Sequence, residues 1–161
     1  MKLSNSFTLA EMLKSNTASR LDIKEQFNAP KEVIDNLTIL CKKLLQPIRD
    51  SLEMPIRVTS GYRCEKLNKA IGGSSKSQHV KGQAADIELW IAGQEKNGIL
   101  LDEIINLSFR NDIEFDQLII EYPNEHGVPK WIHISYCEKN RNQILIAEKV
   151  RGKTVYKKAD K

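Results

Sequence analysis

Cysteine is scarce in this chain, with 3 among 161 residues, and Cys41, Cys64 and Cys137 stand far apart with no C-x-x-C pair. An odd, unclustered set argues against a disulfide framework and against a thiolate zinc site, and leaves buried free thiols as the reading. Proline and glycine are modest, at 5 and 8 residues, and no repeat, low-complexity segment or linker-like stretch interrupts the chain. Collagen-like architecture and disorder are therefore not expected. No uninterrupted apolar run exceeds about four residues, against the roughly 20 that a membrane helix needs. The opening stretch MKLSNSFTLAEMLKSN lacks an apolar h-region, so a cleavable signal peptide is not expected and synthesis in the cytoplasm is. Aromatics are only 6% of the chain, and no basic stripe interleaves with them, so nucleic acid is not an expected partner.

What is present describes one ordinary globular domain over residues 1–161, 40% hydrophobic and 29% charged, able to bury its own core. Its oligomeric state is taken as monomeric. The formal net charge of +4 is uneven, since residues 138–161 hold 8 Lys or Arg against 3 Asp or Glu. Such an end can meet an acidic polymer such as bacterial wall, or form a solvated terminal hairpin. Residues 157–161 read as a basic tail.

Thr8 and Glu11 form a capping box, with Phe7 and Met12 as its hydrophobic staple, so a helix begins there. Residues 30–53 carry a helical apolar stripe that Pro47 is expected to kink or break. Residues 56–60 read as a strand, 65–71 as a short helix stopped by Gly72-Gly73, 84–89 as a buried strand and 94–111 as a second amphipathic helix. Strands are expected over 116–121, 131–136, 143–149 and 153–156, with Arg151-Gly152 as the last turn. Helices first and a strand meander last give an α+β fold, with helices packed on a small antiparallel sheet.

Two of the three histidines stand in unusual company. In the run Ser77-Gln78-His79-Val80-Lys81-Gly82-Gln83-Ala84-Ala85-Asp86, an aspartate enters an apolar strand, where it needs a partner or a metal. Gly82 permits a sharp turn that lets His79 and Asp86 converge. In Trp131-Ile132-His133-Ile134-Ser135, His133 shares a face with Trp131 and Ser135, opposite the isoleucines. Two imidazoles and one carboxylate are a known catalytic zinc set, although hydrogen-bonded structural imidazoles are the other reading of the same residues. Arg63 follows a strand and a glycine turn, which suits a planar fork aimed at a substrate carboxylate or carbonyl, or one that clamps nearby loop carbonyls. Ser77 and Gln78 are candidates for substrate contact or for turn capping. Trp131 is read as core filling rather than as shelter for a metal.

The S-Q-H-x-x-G-x-A-A-D run and the W-I-H-I-S strand resemble the zinc-dependent D-alanyl-D-alanine carboxypeptidase family, which includes phage wall-lysing endopeptidases. Ser60-Gly61-Tyr62-Arg63 and residues 67–73 resemble the family's arginine-bearing segment in the same order, and the likeness spans residues 7–156, including 115–121 and 140–145. It implies a zinc DD-peptidase/hedgehog-like fold and one zinc held by His79, Asp86 and His133. It also implies a zinc-activated water that hydrolyses peptidoglycan stem peptides, as a carboxypeptidase or an endolysin-like endopeptidase, with Arg63 positioning the substrate. The implied place of action is the cell wall, after phage-type release. Family members often carry a catalytic acid residue three positions before the second ligand histidine, where this chain has Lys130. Glu121 is the substitute base, provided the strand that it ends pairs with the His133 strand, and Glu125 or His126 in the intervening loop are alternatives. A zinc-containing domain that has lost catalysis and only binds wall peptide or a protein partner is the alternative function.

Overall fold

The first helix starts where the sequence caps it. In the computed structural model, which describes residues 1–159, α1 (Leu9–Leu13) is preceded by Thr8, whose hydroxyl accepts the Glu11 N–H at 3.3 Å. Phe7 and Met12 are both buried in the main core. A short α2 (Asn16–Arg20), capped by Ser15, and a 3-10 turn, Lys24–Phe27, follow. These elements, of five and four residues, are too short to show a hydrophobic period in the sequence.

The long helical stretch forms α3 (Lys31–Leu40), a π-helical segment, Cys41–Leu45, and α4 (Gln46–Leu52). Pro47 offers no N–H to the preceding turn, and the wide π turn just before it absorbs the missing bond without ending the helix. The expected break is therefore a bulge. Leu37, Leu40, Cys41, Leu44, Leu45 and Ile48 along this run are all 0% exposed. Each such leucine or isoleucine contributes about 1.5–3 kcal/mol on burial.

After β1 (Arg57–Ser60) come α5 (Glu65–Ala70), capped by the Cys64 thiol, and β2 (Ala84–Glu88). Next, β3 (Trp90–Ile91) and β4 (Gln94–Glu95) form a small hairpin, turned by Ala92 and Gly93 at φ 51° and 77°. α6 (Asn97–Phe109) therefore starts three residues later than the sequence suggests, because Gln94 and Glu95 are spent on that hairpin. The chain closes with β5 (Gln117–Glu121), β6 (Trp131–Ser135), β7 (Gln143–Val150) and β8 (Lys153–Lys158). Lys157 and Lys158 thus belong to β8 rather than to a tail, and residues 160–161 of the expected tail lie outside the described residues.

Six strands make one sheet in the order β1-β2-β6-β5-β7-β8. The architecture is α+β with helices packed on the sheet. Within it β5 and β7 run parallel, because β6 folds back on one side of β5 and the chain then crosses to the other. The remaining neighbours in this sheet are antiparallel, so it is a mixed sheet and not the purely antiparallel meander expected. Pleat alternation divides the central strands. Ala85, Ile87, Leu118, Ile132 and Ile134 enter the helix-facing core, with Ile120 packed against it. Asp86, Glu121, His133 and Trp131 alternate with them and occupy the opposite face.

Candidate metal centre

Asp86 on β2 stands directly across from His133 on β6, and the His133 Nδ1 lies 3.1 Å from Asp86 Oδ1. His79 arrives from irregular backbone, a 3-10 turn at Gln78–Lys81 that ends in Gly82 at φ 70°. Gly82 is needed twice over: its φ is left-handed, and a Cβ there would lie 2.7 Å from the Val33 carbonyl oxygen on α3. The turn brings His79 Nε2 to 3.2 Å from the same Asp86 Oδ1, and the two imidazole rings meet edge to face at 5.1 Å. His79 is 2% exposed.

The donor set fits a metal ion. His79 Nδ1 is 2.7 Å from the Gly61 carbonyl oxygen, which only accepts, so Nδ1 carries the ring proton and Nε2 presents its lone pair. That lone pair faces a carboxylate oxygen, an arrangement that requires a proton or a cation between the two. One nitrogen from each histidine and one oxygen from Asp86 all lie within 4.8 Å of one another, a group able to hold a metal ion. Two imidazoles and a carboxylate leave a fourth position open, as in catalytic zinc sites. Burial would raise the Asp86 carboxyl, but the two imidazoles set against its oxygen, His79 and His133, outweigh burial and hold it well below the usual carboxylate range.

The loop behind His79 is tied down from below. Gln26, 0% exposed, donates from Nε2 to the carbonyls of Leu13 and Tyr62 at 2.9 and 2.7 Å, and its Oε1 accepts the Cys64 N–H at 2.9 Å. The Arg63 N–H in turn donates to the His79 carbonyl at 3.1 Å. A buried glutamine therefore fixes the segment that orients the first histidine. Nothing in the sequence marks it, since a glutamine that follows Lys24 and Glu25 reads as solvated.

All seven site residues singled out from the sequence, Arg63, Ser77, Gln78, His79, Asp86, Glu121 and His133, line one cleft of about 1050 Å³. The Arg63 Nε is buried with no hydrogen-bond partner among the described residues. Burial lowers its guanidinium, and the Asp86 charge opposes the shift. The Ser77 hydroxyl accepts the His79 N–H at 3.3 Å and so caps the turn. Glu121 pairs across the sheet with Trp131, and Ile119, two residues earlier, pairs with His133, so Glu121 and His133 share a face. The Glu121 carboxyl is pushed up to about 7 by burial and by the Asp86 charge, with His133 opposing. Glu125 and His126 are exposed in the loop and do not line the cleft. Lys130 is exposed, with its N–H donating to the Glu121 carbonyl at 2.9 Å. Trp131 departs from the expectation of a core residue. It sits half-buried in the cleft wall with its ring 5.4 Å from that of Tyr122, because it alternates with Ile132 and so falls on the open face.

A third carboxylate, Asp116, is one to which the sequence pattern assigns no site role. Asp116, 2% exposed, accepts bonds from Gln78 and from Arg141, which also lines the cleft. An aspartate leading into an apolar strand is the same signal that drew attention to Asp86.

The family model described as peptidase M15 matches residues 5–106. The chain belongs to the peptidase M15 family. The match covers Arg63, His79 and Asp86 and ends before β5, so within this M15 chain the residues that complete the cleft, Glu121 and His133, come from the sheet beyond it. No curated protein matches the chain. Among the described residues no helix is long and apolar enough to cross a membrane.

Proposed function

We propose that this M15 chain is a single-domain zinc peptidase that hydrolyses peptidoglycan stem peptides at the cell wall, binding one zinc through His79, Asp86 and His133. The observation that carries the reading is the convergence, in one cleft, of this donor set with a buried carboxylate and an arginine whose Nε has no partner among the described residues. Bound zinc would supply Lewis acidity that polarises the scissile carbonyl and acidifies water.

The chain's own residues supply the rest. The Gly61 carbonyl holds His79 in the tautomer that leaves Nε2 free to ligate. Arg63, whose Nε has no partner among the described residues, grips the substrate's terminal carboxylate and so sets which bond lies over the site. Glu121 takes the proton of the attacking water on a carboxylate oxygen and delivers it to the leaving amine nitrogen. A carboxyl near 7 is suited to both halves of that transfer, because it gains and loses a proton at similar cost near neutrality. Trp131 and Tyr122 wall the cleft on the Glu121 side and limit water there.

The test is to incubate zinc-loaded protein with purified peptidoglycan and weigh the soluble fragments by mass spectrometry. Free D-alanine identifies a carboxypeptidase, and new internal amino termini identify an endopeptidase. No fragment from a protein that retains zinc rejects the peptidase reading and leaves a wall-binding domain.

A further inference from the structure

We propose that Arg141 forms a second carboxylate-binding subsite in the cleft, which takes an acidic group of the substrate distinct from the one Arg63 grips. The proposal rests on the peptidase reading above and narrows its substrate to peptides that carry an internal carboxylate as well as a terminal one.

Arg141 lies in the connection between β6 and β7, and its side chain, 56% exposed, lines the same cleft as Arg63 and His79. Its guanidinium is held before any ligand arrives. Nε and Nη2 donate to the two oxygens of Asp116 at 2.9 and 2.8 Å, and the Arg141 backbone N–H donates to the same carboxylate at 3.1 Å. Asp116 is 2% exposed and also accepts from Gln78 Nε2 at 2.8 Å. The fork is therefore oriented at no further entropic cost to a ligand, while Nη1 donates to no described residue.

The position follows from the same bonds. Gln78 precedes His79 in the chain, so the path Arg141–Asp116–Gln78 ties the guanidinium rigidly to the metal-ligand turn. Surface arginines that pair only with neighbours on their own element have no such link. The charge of the cleft agrees, since Lys76, Lys81 and Lys139 join the two arginines in its lining against the three carboxylates Asp86, Glu121 and Glu138. A planar carboxylate matches the free edge of a fixed guanidinium. In a lysine-type stem peptide whose terminal carboxylate is on Arg63, the remaining carboxylate is the α-carboxyl of D-glutamate.

The test uses two synthetic peptides, L-Ala-D-γ-Glu-L-Lys-D-Ala-D-Ala with the glutamate α-carboxyl free or as its amide. Each is titrated by calorimetry into the zinc-loaded Glu121→Gln chain. The acid is expected to bind about 10–100-fold tighter than the amide, the range for hydrogen bonds to a charged group. The paired substitution Asp116→Asn with Arg141→Gln, which keeps the buried site neutral, should bring that ratio close to one. Arg141→Lys, which keeps the charge and loses the fork, should cut it at least threefold with the melting temperature little changed. Arg63→Gln should weaken both peptides alike and preserve the ratio. Equal affinity for acid and amide overturns the subsite without any Arg141 variant, as does a ratio that collapses in Arg63→Gln but survives in the Arg141 variants. Cleavage by the wild-type chain is scored separately. Acid preference lost with Arg141 in a protein that cuts neither peptide keeps the subsite and rejects the peptidase reading, whereas cleavage without acid preference does the reverse.

Discussion

On the sheet side of the cleft, Asp86, Glu121 and His133 occupy three adjacent strands whose ladders fix them to one face, whereas on the loop side Arg63, Ser77 and His79 ride on irregular backbone tied down by the side-chain amides of Gln26 and Gln78. The two walls share one group able to hold a metal ion but are stabilised differently. The sheet wall is over-determined, since each strand of its central part is paired on both edges and its other face fills the core. It can therefore carry a buried carboxylate displaced to about 7 without losing shape. The loop wall has no such redundancy: Gly61, Gly82 and Gln26 each make contacts that no neighbour duplicates. Damage on the sheet side should thus fall on chemistry, and damage on the loop side on folding and metal affinity.

The largest expected effect is on the sheet side. Glu121→Gln keeps the shape and removes the basicity, so kcat on wall peptides should fall by about 10²–10⁴. Zinc content should be unchanged. The melting temperature should hold or rise, because a buried carboxylate has been replaced by a neutral amide. Turnover close to wild type would move the base elsewhere, and a large fall in stability would break the contrast between the walls.

Gln26→Ala tests the loop wall. It leaves the carbonyls of Leu13 and Tyr62 and the N–H of Cys64 without their buried partner. Each such group costs about 1–3 kcal/mol, so a loss of about 3–5 kcal/mol in urea unfolding is expected. Zinc affinity, read by competition with a chromogenic chelator, should fall with it, since the Gly61 carbonyl that orients His79 lies on the same segment.

The same division separates what the sequence discloses from what it hides. Period-two alternation puts His133 opposite Ile132 and Ile134, and an aspartate in an apolar strand asks for a partner, so the face of the sheet that carries the site is legible. The pairing of Glu121 with Trp131 completes that wall, and it needs only a hairpin register. Gln26 is invisible because its burial arises only when a short 3-10 turn folds over a loop 36 residues away. The parallel pairing of β5 with β7 depends on which edge the chain returns to, which no local pattern encodes. The Asp116–Arg141 pair joins residues 25 positions apart through bonds made from a strand end and a connection, where periodicity is silent. Trp131 departs from its expected place for a simpler reason: its size suggests the core, yet its parity with His133 sends it to the cleft.

Gly82→Ala strikes the joint between the walls, between the turn of His79 and the strand of Asp86. A methyl there meets the Val33 carbonyl oxygen at 2.7 Å and the Leu37 side chain at 3.1 Å, on a helix that cannot retreat cheaply, and φ is 70° besides. About 2–4 kcal/mol of stability should be lost, combining left-handed strain with overpacking. Gly152→Ala is the control. Its φ is 78° but no atom lies within 4 Å of the added Cβ, so only the strain, about 1 kcal/mol, should appear. Equal losses at the two positions would show that the close approach to α3 contributes nothing.

The smallest effect concerns acid stability, and it isolates the Asp116 contact that links the loop wall to the sheet. Hydrogen bonds from Arg141 and Gln78 hold the Asp116 carboxyl down at about 2, against a burial effect that would raise it. The folded pKa lies below the unfolded value, so the unfolded chain binds the proton more readily as pH falls. The stabilisation is therefore complete above the ordinary aspartate range near pH 4 and is lost as pH drops through about 2. Since Arg141 is half-exposed, the contribution is discounted to about 1–2 kcal/mol. Asp116→Asn should be less stable than wild type by that amount at pH 6 in urea unfolding, and the gap should close as pH is lowered from 4 to 2. A gap that stays constant over this interval would mean that Asp116 acts through its shape and hydrogen bonds alone. A gap that widens would reverse the sign and place the proton on the folded chain.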